Sequence, residues 1–250
     1  MNDGSQMEAR TLSRKSCYSG ECVETTVPYI LSSDFDLVLL RFSGVKGRDE
    51  CMPEPSQILT IAATGASGAA FTRALLLAAE RDQRIKHVNF IVSDNALRVF
   101  AEELSIKGRN NLVQQILGGK AKKIQQQNND DIGANIASGS YPAGAMIILP
   151  CSMGTLARIA NGLASNLLDR AADVCLKEKR PLVLCTRETP LNRIHIRNMD
   201  LAALAGATIY PLIPTFYNRP AGLDEMAHQF ACRVLAFIGL PQPDAYEWKG

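Results

Sequence analysis

From residue 58 onward, short apolar runs alternate with helix-period segments. This predicts an α/β fold: a parallel sheet with helices on both faces, in three layers. Two further observations carry that reading. The strand candidates are continuous apolar runs, as expected of strands covered on both sides. The 250 residues, 46% hydrophobic and 21% charged, also suffice for one large domain or two small ones with a substantial core.

Taken in order, ILTIAA (Ile58–Ala63) reads as the first strand; TGASG breaks it, and GAAFTRALLLAAERD follows with helical spacing. HVNFIVSD is the second strand, leading into a helix over 95–104. AMIILP is the third, followed by helical GTLARIANGLASNLL and RAADVCLKEK. PLVLC is the fourth, with a helix near 194–205; ATIYPLIP is the fifth, with a closing helix near 223–237. KKIQQQNNDDIGANIASGS is polar and Gln/Asn-rich and reads as a solvated surface loop. The strand–helix alternation is Rossmann-like (flavodoxin-like) in kind. The first fifty-odd residues differ: they are polar and without a sustained period, with FDLVLLRFSGVKG offering at most one isolated strand. Met52 stands just before the change of texture, and the ordered domain, with the natural translation start, is expected near it.

Composition excludes several classes. A net charge of +2 gives no footprint for nucleic acid. No apolar run approaches the ~20 residues that span a bilayer, and with no continuous apolar h-region after a basic stretch a secretory signal is not expected. Seven cysteines show no C-x-x-C, and the three histidines, His87, His195 and His228, are scattered, so no metal spacing is evident. Cys151, Cys175 and Cys185 lie in apolar segments and read as reduced core residues of a cytoplasmic protein.

In open parallel sheets, ligands bind beyond the carboxyl ends of the strands. Gly65, Ala66, Ser67 and Gly68 follow the first strand; their glycines allow a tight turn, and the next helix offers N–H groups and a positive dipole end to an anion. A plain strand-to-helix turn would look the same. Ser93 and Asp94 follow the second strand. Ser152, Met153, Gly154 and Thr155 follow the third, where the two hydroxyls either cap a helix or meet a phosphate. Arg187 and Glu188 leave the fourth strand together, and Phe216 and Tyr217 follow the fifth. Arg170 and Lys177, seven apart, share a helix face, whereas Glu178, Lys179 and Arg180 read as a solvated charge run. Convergence of these groups at one sheet edge predicts a pocket for a phosphorylated planar cofactor with a second anionic site beside it.

The stretches TGASGAAFTRALL, VSDNALRVF, LPCSMGTLARIANGLASNLLDRAADVCLKEKRPLVLCTRETPL, IHIRNM, PTFYNRP and ACRVLAFIGL strongly resemble the UbiX-type flavin prenyltransferases, within the flavin-containing cysteine decarboxylase superfamily. The resemblance runs from about residue 58 to 240 and leaves 1–55 as an extension expected to be poorly ordered, with 56–245 as the flavin prenyltransferase domain. It implies metal-independent transfer of a dimethylallyl group from dimethylallyl phosphate to N5 and C6 of reduced FMN. The prenylated FMN then passes to a UbiD-type decarboxylase, in ubiquinone biosynthesis or aromatic acid decarboxylation. It further implies that Gly65, Ala66, Ser67, Ser93, Ser152, Met153, Gly154, Thr155 and Arg187 contact FMN. Arg170, Lys177, Tyr217 and Arg233 fall on prenyl-phosphate positions, and Glu188, Lys177 and Ser67 on catalytic ones. Tyr141 is a candidate wall for the prenyl group; Phe71 stands where many relatives carry Tyr; Glu102 and Glu103 both lie near an acidic position. Members form homo-oligomers, commonly dodecamers, with sites at subunit contacts, so Arg170 and Arg233 are candidates to act in a neighbour's site. The resemblance leaves monophosphate or pyrophosphate open as donor.

Two other readings compete. A cysteinyl or phosphopantothenoylcysteine decarboxylase would show a PxMNxxMW-like segment and a catalytic His, but the only Trp is Trp248. A non-catalytic flavin-binding subunit would not need the second anion site.

Overall fold

The computed structural model describes residues 10–18, 21–29 and 57–248. The chain divides into two compact units, Met1–Glu50 and Cys51–Gly250. In the first, β1 (Arg10–Tyr18) and β2 (Glu21–Tyr29) pair antiparallel, Arg10 opposite Tyr29. FDLVLLRFSGVKG and Met52 lie outside the described residues.

The second unit holds a six-stranded, all-parallel sheet in the order β5-β4-β3-β6-β7-β8. The strands are β3 (Ile58–Ala63), β4 (His87–Val92), β5 (Ile124–Gln127), β6 (Ala145–Cys151), β7 (Leu182–Thr186) and β8 (Thr208–Ile209). Counted from β3, this is the order 3-2-1-4-5-6, and it reverses direction between β3 and β6. That reversal point is where open α/β sheets bind their ligands.

Both faces of the sheet are dry because alternate residues feed two cores. Leu59, Ile61, Val88, Phe90, Ile147, Leu149 and Cys185 point into one. It is closed by α1 (Ala69–Arg81), α2 (Asp94–Leu104), α3 (Leu112–Leu117) and α7 (Leu223–Phe237). Ala62, Ile91, Met146, Ile148, Leu182 and Leu184 point into the other, under α4 (Met153–Ala160), α5 (Leu167–Lys177) and α6 (Arg193–Leu204). Continuous apolar strands are the sequence signature of this arrangement.

Four expectations need correction. The polar segment read as a loop contains β5, a short edge strand. With a neighbour on one side only, β5 keeps polar side chains, and Gln127 Nε2 donates to Asn89 Oδ1 at 2.8 Å. The six-residue helix α3 has too few apolar repeats for its period to show. The helical run after β6 is two helices: Gly162 takes φ +67, and Asn166 restarts the chain as α5 by accepting the Asp169 N–H at 2.9 Å. The fifth expected strand shrinks to Thr208–Ile209, because Pro211 has no N–H to continue a ladder. Tyr210 and Leu212 still donate backbone bonds to Leu184 and Thr186.

Candidate active site at the carboxyl edge of the sheet

The loops that leave the strands are stitched to one another. Ser93 N–H donates to the Ala63 carbonyl at 3.1 Å, joining the β4 end to β3. Thr64 donates from both its N–H (3.1 Å) and its hydroxyl (2.9 Å) to the Pro150 carbonyl, and the same hydroxyl accepts the Ser152 N–H at 2.7 Å. Arg187 N–H donates to the Cys151 carbonyl (3.1 Å) and Leu212 N–H to that of Thr186 (2.8 Å). Five strand ends thus form one continuous floor, and they carry Ser67, Ser93, Ser152, Arg187 and Glu188 along its rim.

Gly65 is required by close approach: a Cβ there would collide with the Cβ of Asn95 on α2. Gly68 enters α1 at φ +135, a conformation L side chains rarely adopt. Ala66 is buried, while Gly65 and Ser67 are exposed. Phe71, buried behind this loop, packs edge-on against Phe230 at 5.4 Å between ring centres.

The expectation that α1 offers free N–H groups is corrected. Glu103 reaches back from α2 and accepts from Gly68 N–H (3.0 Å) and Ala69 N–H (2.7 Å), so a side-chain carboxylate already occupies that dipole end. Glu103 is thereby distinguished from Glu102, which lies outside and pairs with Arg98 at 2.9 Å. The open helix start is that of α4. Ser152 caps it by accepting the Thr155 N–H at 3.4 Å and donates its own hydroxyl to Thr155 Oγ1 at 3.2 Å. Among the described residues no hydrogen bond uses the N–H of Met153 or Gly154.

Sequence reasoning missed what supports this turn. Arg158 donates to Thr155 Oγ1 (3.2 Å) and the Gly154 carbonyl (3.3 Å), and it is held at 2.7 Å by Asp169, whose side chain is fully buried. Ser165 donates to the same Asp169 oxygen. No signal at a spacing of eleven residues across a helix break would have paired Arg158 with Asp169.

Arg187 and Glu188 are exposed. Glu188 accepts only the neighbouring Thr189 N–H, at 3.0 Å, and the Arg187 guanidinium has no partner among the described residues. Beneath them the Thr186 hydroxyl is buried without a partner. Tyr217, 53% exposed, is packed by Tyr246 (5.5 Å) and Trp248 (5.3 Å). These two aromatics of the last residues were not foreseen. Arg233 is exposed on α7, near Tyr210, whose hydroxyl burial pushes up and Arg233 pulls back down.

Lys177 does not join this edge within one chain, and the expected convergence is corrected for it. A helix that follows one parallel strand must run back to the start of the next. Lys177 therefore ends α5 just before β7 begins, whereas Glu188 follows its end; the strand between them spans about 17 Å. Lys177 is ion-paired with Glu178, whose carboxyl it holds below the usual range. Arg180 donates to the carbonyls of Gly139 and Tyr141, so it is not part of a merely solvated run. Tyr141 belongs to this amino edge as well, its hydroxyl accepting from Asn89 Nδ2 at 3.3 Å. Arg170 lies one turn into α5 and donates to the Ala137 carbonyl (3.1 Å) and to Asp173 (2.6 Å). Arg170 and Lys177 do share a face, as their spacing predicts, and it looks onto the Ala137–Gly139 turn.

Four described cysteines, Cys151, Cys175, Cys185 and Cys232, are free and buried. Burial pushes the thiols of Cys151 and Cys175 up to about 12 and lifts that of Cys185 well above its ordinary value, as suits inert core groups. No described helix is long and apolar enough to cross a membrane.

Residues 49–226 match the flavoprotein family. The flavin prenyltransferase UbiX of Halalkalibacterium halodurans is 39% identical over 193 residues, 76% of this chain and 93% of that protein. The flavin prenyltransferase UbiX of Pseudomonas aeruginosa is 39% identical over 203 residues, 79% of this chain and 96% of its own. The crystal structure of AnUbiX (PadA1) in complex with FMN and dimethylallyl pyrophosphate is similar with a TM-score of 0.69 at 36% identity, covering 77% of this chain and 97% of that one. A dodecameric FMN-dependent UbiX-like decarboxylase from Escherichia coli O157:H7 has a TM-score of 0.69 at 38% identity, covering 77% and 100%.

Proposed function

The chain belongs to the UbiX-type flavin prenyltransferase family, and on that premise we propose how its own residues prenylate reduced FMN. The stitched floor at the carboxyl edge is the observation that carries the proposal. It fits a flavin nucleotide: a glycine turn for the ring, the open N–H groups of α4 for the phosphate, and the unpartnered Thr186 hydroxyl within the same wall. Bound and reduced, the flavin supplies the nucleophilic N5 and C6 that take up the dimethylallyl group.

The protein's part is orientation and charge. Ser67, Gly65 and Ala66 position the ring beside Ser93, and Ser152–Thr155 anchor the phosphate on a turn that Arg158 and Asp169 keep rigid. Loss of the allylic leaving group develops negative charge on a phosphate. Arg187, Arg233 and the Tyr217 hydroxyl meet it from one chain; fixed donors do so without reorganising. Glu188, which accepts one bond from Thr189, passes a proton to the leaving phosphate in this reading. Tyr246 and Trp248 keep water from the Tyr217 side.

Lys177 and Arg170 complete the anion site from a neighbouring copy. The single chain supports this, since its sheet separates Lys177 from Glu188. The chain also leaves Leu191, Ile194, Ile196 and Leu204, on and just before α6, exposed. A closed homo-oligomer, of which the dodecamer is the favoured form, would cover them. The acceptor of the product is a UbiD-type decarboxylase, and the catalytic unit is residues 56–245, with 1–55 an extension.

The test is to incubate the protein with reduced FMN and, separately, dimethylallyl phosphate or pyrophosphate, and to weigh the extracted flavin. Gain of one five-carbon unit is expected with at least one donor. An unchanged mass with both donors contradicts the proposal.

A further inference from the structure

Three groups that take no part in the chemistry above meet where the C-terminal segment doubles back along α7. His228 and Cys232 are one turn apart and share a helix face. Beyond Leu240 the chain returns beside them: Gln229 Nε2 donates to the Asp244 carbonyl (3.1 Å), and Tyr246 N–H donates to Gln229 Oε1 (2.7 Å). Asp244 is thereby laid against the pair. His228 Nε2 is 2.7 Å from Asp244 Oδ2 and 3.4 Å from Cys232 Sγ, and Sγ is 4.0 Å from Asp244 Oδ1. All three donor atoms lie within 4.8 Å of one another.

Such a trio could be a nucleophile relay or a ligand set, and the geometry separates the two. A relay needs different ring nitrogens facing the thiol and the carboxylate. Here the same Nε2 faces both, and Cys232 is fully buried, out of reach of a substrate. Nitrogen, sulfur and oxygen gathered within 4.8 Å of one another is a spacing that ligands of one ion adopt. Ligands of a tetrahedral ion with bonds of about 2.0–2.3 Å stand about 3.3–3.6 Å apart; the nitrogen–sulfur separation of 3.4 Å falls in that range, and the exposed Asp244 carboxylate, 2.7 Å from Nε2 through Oδ2 and 4.0 Å from Sγ through Oδ1, needs only to turn to join it.

We propose that His228, Cys232 and Asp244 form a three-ligand binding site for a zinc-class divalent cation. An imidazole, a thiolate and a carboxylate suit zinc rather than calcium or magnesium, which take oxygen ligands. Binding displaces the thiol proton to solvent and puts the metal in its place. His228 and Asp244 also line a cavity of about 770 Å³ with Asp82, Arg84 and Gln242, which gives water or a small ligand access to the fourth position. The bound ion would tie α7 to the segment that carries Tyr246 and Trp248 to Tyr217. None of the three ligands takes part in prenyl transfer, and metal retention is read without turnover, so either reading can fail alone. In sequence the pair is only a H-x-x-x-C spacing, with its third member twelve residues further on, so the scattered histidines concealed it.

The test uses the untagged full chain, stripped by chelator and dialysed against zinc or cobalt alone. One zinc per chain should be retained, and cobalt should give a thiolate charge-transfer band in the near ultraviolet. Cys232→Ser should abolish that band, and His228→Gln and Asp244→Asn should each weaken zinc binding by about tenfold or more. Asp244 is 62% exposed, so its variant leaves folding intact. Zinc at a hundredfold excess over its dissociation constant should raise the wild-type Tm by about 5–10 °C and leave Cys232→Ser unchanged. Absence of retained metal, a cobalt spectrum without the thiolate band, or retention indifferent to all three substitutions would overturn the site.

Discussion

The two ends of the parallel sheet use charge in opposite ways. At the carboxyl edge the cation Arg187 and the carboxylate Glu188 stand side by side without pairing, above loops fastened to one another by backbone bonds. At the amino edge the charges are already matched: Lys177 with Glu178, Arg180 with two carbonyls, Asp82 with Arg84. Charges left unpaired on a rigid floor are ready for a ligand, whereas charges paired on turns hold the fold. Lys177 is the exception the resemblance singles out, a paired amino-edge cation proposed to serve another chain's carboxyl edge.

The largest expected effect tests that exception. Glu188→Gln and Lys177→Ala should each slow prenylation about 10²–10³-fold while FMN still binds, read as turnover against flavin retention. If Lys177→Ala turns over normally, Lys177 belongs with the structural charges. Next comes the support under the floor. Asp169→Asn leaves Arg158 without its charged partner; because that guanidinium is 36% exposed, the cost is about 2 kcal/mol rather than the full buried-pair value. A Tm lower by about 4–8 °C is expected, with weaker FMN binding.

A smaller effect probes the amino edge. The Arg84 hydrogen bond, with help from Gln242, lowers the Asp82 carboxyl from 3.8 to about 2 despite opposing burial. A carboxyl depressed in the folded state adds stability that is complete above its unfolded value and lost as pH falls through the folded one. Wild type should therefore lose its advantage over Asp82→Asn between about pH 3.8 and pH 2, with prenylation at neutral pH nearly unchanged. Denaturation curves in which the two differ equally at both pH values would contradict this. The smallest contrast lies between adjacent glutamates. Glu103→Ala should cost about 0.5–1 kcal/mol by freeing the α1 amino end, and Glu102→Ala less than about 0.5 kcal/mol, measured by urea unfolding.

The same contrast explains what could be read from the sequence. Apolar strands and the helices between them were legible because a strand buried on both faces leaves a local signature. Strand-end residues such as Gly65, Ser67, Ser152 and Glu188 were legible for a related reason: in a parallel sheet, following a strand in sequence means standing at its carboxyl edge. Lys177 precedes a strand, so the topology sends it to the other end, and the expectation that it converges with Glu188 at one edge failed within a single chain. β5 escaped because an edge strand tolerates glutamines. Arg158 with Asp169, Tyr217 with Trp248, and His228 with Asp244 escaped because each pair is made by the chain returning on itself.

A mixture of two inactive variants tests the central claim most directly. Equal amounts of Lys177→Ala and Glu188→Gln chains, dissociated and reassembled together, combine at random. If the anion site takes Glu188 from one chain and Lys177 from its neighbour, about a quarter of the sites regain both residues, and turnover should return to about a quarter of wild type. Reassembled mixtures as inactive as either parent would show that no site is shared between chains in this way.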